Sequence, residues 1–408
     1  MASENKNVFL YGYFGASNYG DELILMAFLK QYLKHKAACR LPENIIAATT
    51  IQKNPFLETF KNEFQNSNIS FVRRSKNPFS FLNINLLKKS EYLVFPGGGV
   101  FQDYGVMSFL CYFTFALAFK LFHKKVFLLY QGFTGVKKSF FQELTRFMTS
   151  KLCDYLSIRD KASLKYIPKY GLNNSKIYAD AVFLLNAEIK EITKSRTAIS
   201  YESPESYKEK TAGISLRGWP GINEYSFAGL IKNIIKATGF KIILYSMQKD
   251  ADCALNVKIY DELKKDKNFN SEYPDKVEIY EFEPDYKKFI GSLSKNYVNL
   301  GMRFHFSVLS VMAGVPALGL SYDDKILNLY RELNFSELCI DISEKHTNAK
   351  HIRNEFTDIN KISDELLIKL KTLIHNYDAI IKKFNTYAEQ KENDAAILFN
   401  EFTAFLNA

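Results

Sequence analysis

The sequence predicts an α/β protein with two Rossmann-like domains, each a parallel sheet with helices on both faces. Residues 1–190 alternate short apolar runs with amphipathic helical patterns, and the alternation resumes beyond a charged, serine-rich stretch at 188–211. Strands that alternate with helices in this way form parallel sheets. We therefore expect domains at 1–190 and 205–335, followed by a C-terminal helical segment at 336–408.

The apolar runs of the first half predict its strands and helices. Strands are predicted in "NVFLYGYF", "NIIAATTI", "EYLVFPGGG", "KVFLLYQGF" and "DYLSIR", and helices in "ELILMAFLKQYL" and "FFQELTRFMTSKLC". The longest apolar run, "MSFLCYFTFALAF" at 107–119, falls short of the roughly 20 residues that a membrane-spanning helix needs. It is predicted to be a buried helix in preference to a membrane contact.

The second half repeats the pattern. Strands are predicted in "AGISLRGW", "KIILYSMQ", "KVEIYEF", "YVNLGM" and "PALGLSY", and helices in "FAGLIKNIIKATG", "LNVKIYDELKK" and "HFSVLSVMAG". The stretch 188–211 is predicted to be the linker. Apolar residues from Leu366 to Phe384 follow helical spacing, and Ser363 marks the predicted start of that C-terminal helix.

The net charge of the chain limits the classes of binding partner that are expected. The 408 residues carry a formal net charge of +10 and can bury a substantial core. Such a basic balance favours nucleic acid, a phosphorylated metabolite or an anionic membrane surface. No Lys/Arg-rich block and no zinc-finger spacing occurs in the sequence, so no nucleic-acid partner is expected.

Cysteine usage and the N-terminal residues indicate the compartment. The five cysteines are scattered and never form a Cys-x-x-Cys pair, which suits a reducing compartment and argues against structural zinc. No basic region followed by a long apolar stretch opens the chain, so no secretory signal is expected. These features predict a cytoplasmic protein, whose charge would allow peripheral contact with the inner membrane.

Acidic groups give no persuasive metal site. "QKDAD" and "YDDK" could bind a cation, but carboxylates in loops are usually only solvated. We therefore expect no obligatory metal ion.

The first glycine-rich turn, "YGYFGASNYGDE", is not a dinucleotide site. Its glycines, Gly12, Gly15 and Gly20, do not match the Gly-x-Gly-x-x-Gly spacing that lets the backbone approach a pyrophosphate. Asn18, Asp21 and Glu22 fall at the predicted start of the following helix, where carboxylates are favoured by the helix dipole and by capping of backbone N–H groups. Capping and ligand contact both remain open for them.

A second turn, "VFPGGGVFQD", ends a predicted buried strand in Gly97, Gly98 and Gly99. Consecutive glycines can present backbone N–H groups in a concave array or let a ligand approach closely. Asp103 follows as either a helix cap or a functional carboxylate. A functional site is favoured, because three glycines cost more backbone entropy than a simple turn requires.

Arginine side chains follow two predicted strands of the second half. Arg217 ends "GISLRGW", and Arg303 and His305 lie between a strand and a helix in "NLGMRFHFSVLSVMAG". A helix N-terminus attracts anions, and the planar fork of arginine suits carboxylate or phosphate. These residues therefore predict an anion site.

His305 suggests how that site could work. A helix N-terminus disfavours a protonated histidine, whereas a bound anion of two or more charges favours it. Our hypothesis is that the ligand recruits the proton that His305 then donates. The alternative is a histidine that only caps the helix.

Five segments, taken in order, resemble the polysaccharide pyruvyl transferase family. They are "GYFGASNYGDE", "FPGGGVFQD", "SIRDKASLKYI", "GISLRGW" and "MRFHFSVLSVMAGVPALGLSYDDK", and the resemblance runs from about residue 8 to about residue 335. It implies a fold similar to GT-B glycosyltransferases, with two Rossmann-like domains facing a cleft. It also implies transfer of a pyruvyl group from phosphoenolpyruvate to hydroxyls of a cell-surface polysaccharide or its precursor sugar, usually forming a ketal.

The resemblance implies roles for individual residues. Arg217 and Arg303 would anchor phosphoenolpyruvate on the C-terminal domain, beside His305 as acid/base residue. On the acceptor side, the N-terminal domain would supply Asp103 as a catalytic group and substrate contacts from Gly98, Gly99, Asn18 and Asp21. The donor is a substrate, no cofactor is implied, and the acceptor is a glycan or a lipid-linked sugar.

Two departures from the family pattern leave the acceptor open. Gly218 follows Arg217 where proline is common, and Phe304 and Phe306 make the Arg-x-His segment bulkier than usual.

Two other functions are compatible with these patterns. A glycosyltransferase of the same architecture would bind a nucleotide sugar at Arg303 and His305, since fold alone does not determine function. A non-catalytic basic protein on a membrane or an anionic polymer would show strongly salt-dependent binding and no effect of substituting His305. Arginines placed at strand ends disfavour the latter.

Overall fold

The structure is a computed structural model that describes residues 7–36, 38–49, 55–73, 81–102, 105–133, 136, 138–166, 176–194, 210–219, 222–343 and 359–407. The chain forms two compact units. The first comprises Met1–Leu185 and Gln390–Ala408, and the second Asn186–Glu389.

Seven parallel strands form the sheet of the first unit. They are β1 (Asn7–Leu10), β2 (Asn44–Thr49), β3 (Ile69–Arg73), β4 (Tyr92–Phe95), β5 (Lys125–Gln131), β6 (Tyr155–Ile158) and β7 (Lys176–Ile177). Their order is β3-β2-β1-β4-β5-β6-β7, with Val8 of β1 paired to Ile45 on one side and Tyr92 on the other.

Helices connect these strands. They are α1 (Tyr19–Lys36), α2 (Pro55–Glu63), α3 (Phe81–Lys89), α4 (Val106–Leu121) and α5 (Ser139–Phe147), and a π-helical turn (Met148–Leu152) and 3-10 turns at Lys161–Tyr166 and Ala181–Leu185 follow. Aromatic side chains fill the core between sheet and helices. Phe9 of β1, for example, packs on Phe115 of α4 with ring centroids 5.6 Å apart. Strands that are covered by helices on both faces are apolar along their whole length, because side chains on both faces are buried.

The second unit holds six parallel strands. They are β8 (Thr211–Ser215), β9 (Lys241–Leu244), β10 (Val277–Ile279), β11 (Val298–Gly301), β12 (Ala317–Ser321) and β13 (Cys339–Asp341), in the order β10-β9-β8-β11-β12-β13. Its helices are α6 (Asn186–Ile192), α7 (Glu224–Thr238), α8 (Lys249–Lys265), α9 (Lys267–Glu272), α10 (Tyr286–Leu293), α11 (Phe304–Met312), α12 (Asp324–Glu332) and α13 (Ile359–His375). The last helix, α14 (Tyr377–Asn407), begins in the second unit and ends in the first.

The two sheets share one topology. In each, the first strand is central, the next two extend to one side, and the fourth pairs on the other side, as β1 with β4 and β8 with β11. Open α/β sheets bind ligands beyond the carboxyl ends of their strands at such a switch point. The predicted α/β class with Rossmann-like units and C-terminal helices is confirmed.

Several local predictions differ from the structure. α13 begins at Ile359, so the predicted start at Ser363 is wrong; Ser363 lies buried inside the helix. α6 occupies the start of the predicted linker, and 195–209 fall outside the described residues. Of the described C-terminal residues, 336–343 and 359–389 belong to the second unit and 390–407 to the first.

Buried hydrogen bonds fix α11 to the sheet of the second unit. Asn299 of β11 donates from Nδ2 to Ser310 Oγ of α11 at 2.9 Å, and its Oδ1 accepts from Asn296 Nδ2 at 2.9 Å. A Cβ at Gly213 of β8 would lie 2.2 Å from Asn296 Nδ2, so no side chain fits there. The N-terminus of α11 is thereby held in place.

Candidate active site

Four neighbouring strands of the second sheet place polar and aromatic side chains at their carboxyl ends. In sheet order, β9 is followed by Gln248, β8 by Arg217, β11 by Arg303 and β12 by Tyr322. Because these strands are parallel, their carboxyl ends lie along one edge of the sheet.

Arg303 is the N-cap residue of α11 and is ion-paired with Asp252 of α8. Its Nε donates to Asp252 Oδ2 at 3.1 Å, and its Nη2 donates to the other carboxylate oxygen and, at 3.4 Å, to Gln248 Oε1. Only 11% of the Arg303 side chain and 1% of the Asp252 side chain are exposed. One edge of the guanidinium is therefore already occupied by a buried carboxylate.

Asp252 also organises the loop after β9. Its Oδ2 accepts from the backbone N–H groups of Met247 and Gln248, both at 3.0 Å. The expectation that the acidic residues of "QKDAD" are merely solvated is wrong for Asp252, although its neighbour Asp250 is exposed. Spacing alone gave no sign that a residue 51 positions away would be its partner.

His305 lies in the first turn of α11 and is partly exposed. Its ring meets that of Phe304 edge to face, with centroids 5.1 Å apart. The helix N-terminus comes close to β11 because Gly301 has no side chain: a Cβ there would lie 2.3 Å from Ser307 Oγ. Arg303 and His305 thus share one helix end, as predicted from their spacing.

Arg217 lies against Tyr322 on the neighbouring part of the edge. Its Nη1 donates to the Tyr322 hydroxyl at 2.6 Å, and the Tyr322 ring packs on Trp219 with centroids 4.4 Å apart. Burial, helped by Asp323, raises the pKa of Tyr322, while the charges of Arg217 and Arg303 act in the opposite direction. Both arginines therefore lie within electrostatic reach of one hydroxyl group.

Tyr322 and Trp219 were not identified from the sequence as site residues. Both stand next to motif residues, Tyr322 directly after a strand and Trp219 two positions after Arg217. Their position next to these motif residues is the sequence feature that could have identified them as site residues. Asp323 of "YDDK" instead caps α12, accepting from the Lys325 N–H at 3.0 Å.

No metal centre is evident in the part of the chain that the structure describes. Within it, no group of three or more His, Cys, Asp or Glu side chains is placed to hold an ion.

The first glycine-rich turn of the first unit is folded around a buried carboxylate. Glu22 of α1 accepts from the Gly15 N–H at 2.9 Å, and Gly15 and Ser17 have positive φ angles of 83° and 51°. Asn18 accepts from the Gly20 N–H at 3.1 Å, which is a capping contact. Glu22, predicted to lie at the start of this helix, is 2% exposed, so its carboxylate is buried within the loop.

The triple-glycine turn lies beside α1. Gly97 and Gly98 have positive φ angles of 146° and 95°, and a Cβ on Gly98 would stand 3.5 Å from a carboxylate oxygen of Asp21. The fold thus brings together Gly98 and Asp21, two residues that are 77 positions apart in the sequence. Gly99 is partly exposed, and Asp103 lies outside the described residues.

The "SIRDK" segment supplies a buried ion pair at the same edge. Arg159, directly after β6, binds Asp180, and both side chains are at most 5% exposed. A Cβ at Gly132 would lie 2.6 Å from Arg159 Nε, so the loop after β5 also requires glycine. We assign this pair a structural role at the carboxyl edge of the first sheet.

Solved structures share this fold over the whole chain. UDP-GlcNAc 2-epimerase from Neisseria meningitidis bound to UDP-GlcNAc matches with a TM-score of 0.57 and 14% identity, covering 98% of this chain and 99% of that chain. The S. aureus MnaA-UDP co-structure matches with a TM-score of 0.59 and 12% identity, covering 99% and 97%. A glycosyltransferase from Rickettsia africae gives 0.56 and 10%, covering 99% of each. The class is therefore a GT-B-like α/β protein.

Sequence comparison adds the family. The model for "Polysaccharide pyruvyl transferase" matches residues 18–324, and the chain belongs to the polysaccharide pyruvyl transferase family. The amylovoran biosynthesis protein AmsJ of Erwinia amylovora is 22% identical over 338 residues, covering 78% of this chain and 72% of that protein. The resemblance inferred from the five segments is confirmed, and membership implies a transferase.

Proposed function

We propose that the protein transfers a pyruvyl group from phosphoenolpyruvate to hydroxyls of a cell-surface polysaccharide or its precursor sugar, forming a ketal. One observation carries this proposal. Arg217, Arg303 and the N-terminus of α11 lie at one edge of the second sheet, and both arginines act on the Tyr322 hydroxyl. Phosphoenolpyruvate carries a carboxylate close to a phosphate, which this pair of guanidinium groups suits.

The charges around the site determine how a bound donor would affect the protonation of His305. Asp252 offsets the charge of Arg303, so Arg217 and the dipole of α11 supply the uncompensated positive charge, while the guanidinium edge of Arg303 that Asp252 does not occupy binds the ligand. Phosphoenolpyruvate has between about two and three negative charges near neutral pH. The bound donor therefore adds more negative charge than the site neutralises, which favours protonation of His305.

The chemistry then begins at the methylene carbon of the donor. His305 donates its proton to that carbon, converting the methylene to a methyl group and leaving an oxocarbenium-like centre at the adjacent carbon. Arg217 and Arg303 hold the carboxylate and phosphate while this charge develops.

The acceptor completes the reaction. A sugar hydroxyl attacks the oxocarbenium carbon and gives its proton to Asp103. A second hydroxyl then displaces the phosphate, which leaves as inorganic phosphate with the second proton, so the ketal forms with no oxidant or reductant. We place this acceptor on the first unit, against Asn18, Asp21, Gly98 and Gly99, as a glycan or a lipid-linked sugar.

The proposed compartment is the cytoplasm. All five cysteines are free thiols, which suits a reducing environment.

Thermal unfolding with candidate donors tests the proposal. At about 100 times its dissociation constant a ligand adds roughly 2.7 kcal/mol to the stability of the folded state. We expect stabilisation by phosphoenolpyruvate, lost in Arg217→Gln and kept in the matched control Arg331→Gln on α12. Stabilisation by UDP, GDP or CMP alone would instead indicate a glycosyltransferase that uses a nucleotide sugar.

A further inference from the structure

α4 is apolar on its outer as well as its inner face. Among its 16 residues, Lys120 is the only charged one. Phe109, Tyr112 and Phe119 point into the core of the first unit. The prediction of a buried helix therefore holds for this inner face alone.

The outer face of α4 is a stripe of partly or fully exposed residues at helical spacing. It consists of the exposed Met107 and Leu121 and, between them, the partly exposed Leu110, Thr114 and Leu117, of which the two leucines also pack against the core. The Thr114 hydroxyl donates to the carbonyl of Leu110 at 2.7 Å within its own helix, so it does not make the stripe polar. Met107 and Leu121, at the two ends, are 72% and 70% exposed.

α5 extends this surface with two phenylalanines on one helical face. Phe140 is 63% exposed and Phe147, seven residues later, is 47% exposed. Phe147 contacts Phe113 of α4 with ring centroids 6.3 Å apart, which joins the two helices. We call the combined surface the α4–α5 apolar face, made of Met107, Leu110, Leu117, Leu121, Phe140 and Phe147.

Basic residues border this face. Lys124, just beyond α4, donates to the Leu87 carbonyl at 2.7 Å, which ties the end of α3, with exposed Lys88 and Lys89, to the segment that follows α4. Lys138 and Lys151, both exposed, precede and follow α5.

The exposed acid on α5 is already paired. Glu143 accepts from Arg146 of the same helix. Lysines therefore outnumber carboxylates along the described part of this border, where Glu91 lies within electrostatic reach of Lys124.

We propose that the α4–α5 apolar face docks on the anionic leaflet of a lipid bilayer. Apolar side chains would insert to about 5–10 Å, into the boundary between headgroups and acyl chains, while lysines reach anionic headgroups. None of the described helices combines the length and apolarity needed to cross a bilayer, so the contact is interfacial. Two copies of this face would bring like charges together, whereas anionic lipid complements them.

Vesicle flotation of the full-length chain tests the proposal. One sample contains phosphatidylcholine alone, and the other equal parts of phosphatidylcholine and phosphatidylglycerol. The test variant combines Met107→Ser, Phe140→Ser and Phe147→Ser. The control variant combines Val257→Ser, Ile368→Ser and Ile397→Ser, exposed apolar positions on other helices.

We expect wild type and control to float with the mixed vesicles, and the test variant to remain at the bottom. Thermal unfolding of all three proteins checks that each is folded. Lys88→Gln with Lys89→Gln should weaken partitioning by roughly fivefold per lysine, and added salt should weaken it further.

Failure of wild-type protein to float, or an equal loss in the control variant, would overturn the proposal. So would a lipid-free dimer, seen by light scattering, that the test variant abolishes, because the face would then be a protein interface. These outcomes do not depend on phosphoenolpyruvate, so they are independent of the proposed reaction.

Discussion

Asp252 and Arg303, 51 residues apart, form a two-pronged ion pair that is almost completely buried at the carboxyl edge of the second sheet. The carboxylate also holds two backbone N–H groups of the loop after β9. This pair sets the direction of the guanidinium group proposed to bind the donor.

Removing that carboxylate should destabilise the fold. Asp252→Ala leaves the charge of Arg303 buried without its partner, so we expect unfolding free energy to fall by about 3 to 5 kcal/mol. Urea denaturation measures the loss. Asp250→Ala, at an exposed position of the same helix, is the control and should cost about 1 kcal/mol or less. Equal losses in the two variants would show that the ion pair is not what stabilises this loop.

The Tyr322 hydroxyl should contribute to donor affinity. It accepts from Arg217, and its raised pKa keeps its own proton available for a hydrogen bond to an anion. We expect Tyr322→Phe to weaken phosphoenolpyruvate binding by about tenfold, as loss of a hydrogen bond to a charged group does. Because Trp219, the only tryptophan, packs on Tyr322, its fluorescence reports the binding.

Tyr225→Phe, at an exposed position on α7, is the control for that titration. It should leave the affinity unchanged. Unchanged affinity in Tyr322→Phe as well would remove Tyr322 from the donor site.

Parallel-sheet patterning and strand-end motifs are enough to predict most of this fold and part of its candidate site. Arg303 and His305 could be placed at one helix N-terminus because a strand, a turn and a helix follow one another within a few residues. The partners of Arg303 and Arg217 could not be predicted in this way. Asp252 and Tyr322 reach these arginines through the order of strands in the sheet, and local sequence spacing does not encode that order. Apolar periodicity likewise marked α4 as a helix without showing that Met107 and Leu121 at its two ends would be exposed.

His305 should matter for turnover more than for binding. If it donates the proton, His305→Gln should lower kcat by about 10²- to 10⁴-fold with a much smaller change in donor affinity. Calorimetry in buffers of different ionisation enthalpy should show proton uptake when wild type binds phosphoenolpyruvate, and less in the variant. His375→Gln, at an exposed site on α13, should behave like wild type. Loss of donor binding in His305→Gln would instead make it a binding residue.

Alkaline pH should weaken the fold through Cys339. Burial, with help from Asp341, raises the pKa of this thiol from 9.0 to about 12. Below pH 9 this thiol makes its full contribution to the unfolding free energy. Above pH 9 the unfolded chain loses the thiol proton while the folded chain keeps it. The unfolding free energy therefore falls until the pH passes the pKa of the thiol in the folded chain. The slope is at most about 1.4 kcal/mol per pH unit.

Urea unfolding at several pH values checks this slope. In Cys339→Ala the unfolding free energy should fall less steeply between pH 9 and pH 12 than in wild type. Parallel curves for wild type and Cys339→Ala would contradict the assignment.

Gly301 should be indispensable for the geometry of the donor site. A Cβ there would lie 2.3 Å from Ser307 Oγ and 3.3 Å from the Ser307 backbone nitrogen, so Gly301→Ala must push the N-terminus of α11 away from β11. Arg303 and His305 would move with it. Gly229→Ala on α7 meets nothing within 4 Å and should be neutral or stabilise the helix by up to about 1 kcal/mol. Phosphate titration followed by Trp219 fluorescence should therefore show binding weakened at least tenfold in Gly301→Ala alone. Equal affinities in the two variants would mean that anion binding does not depend on the position of this helix end.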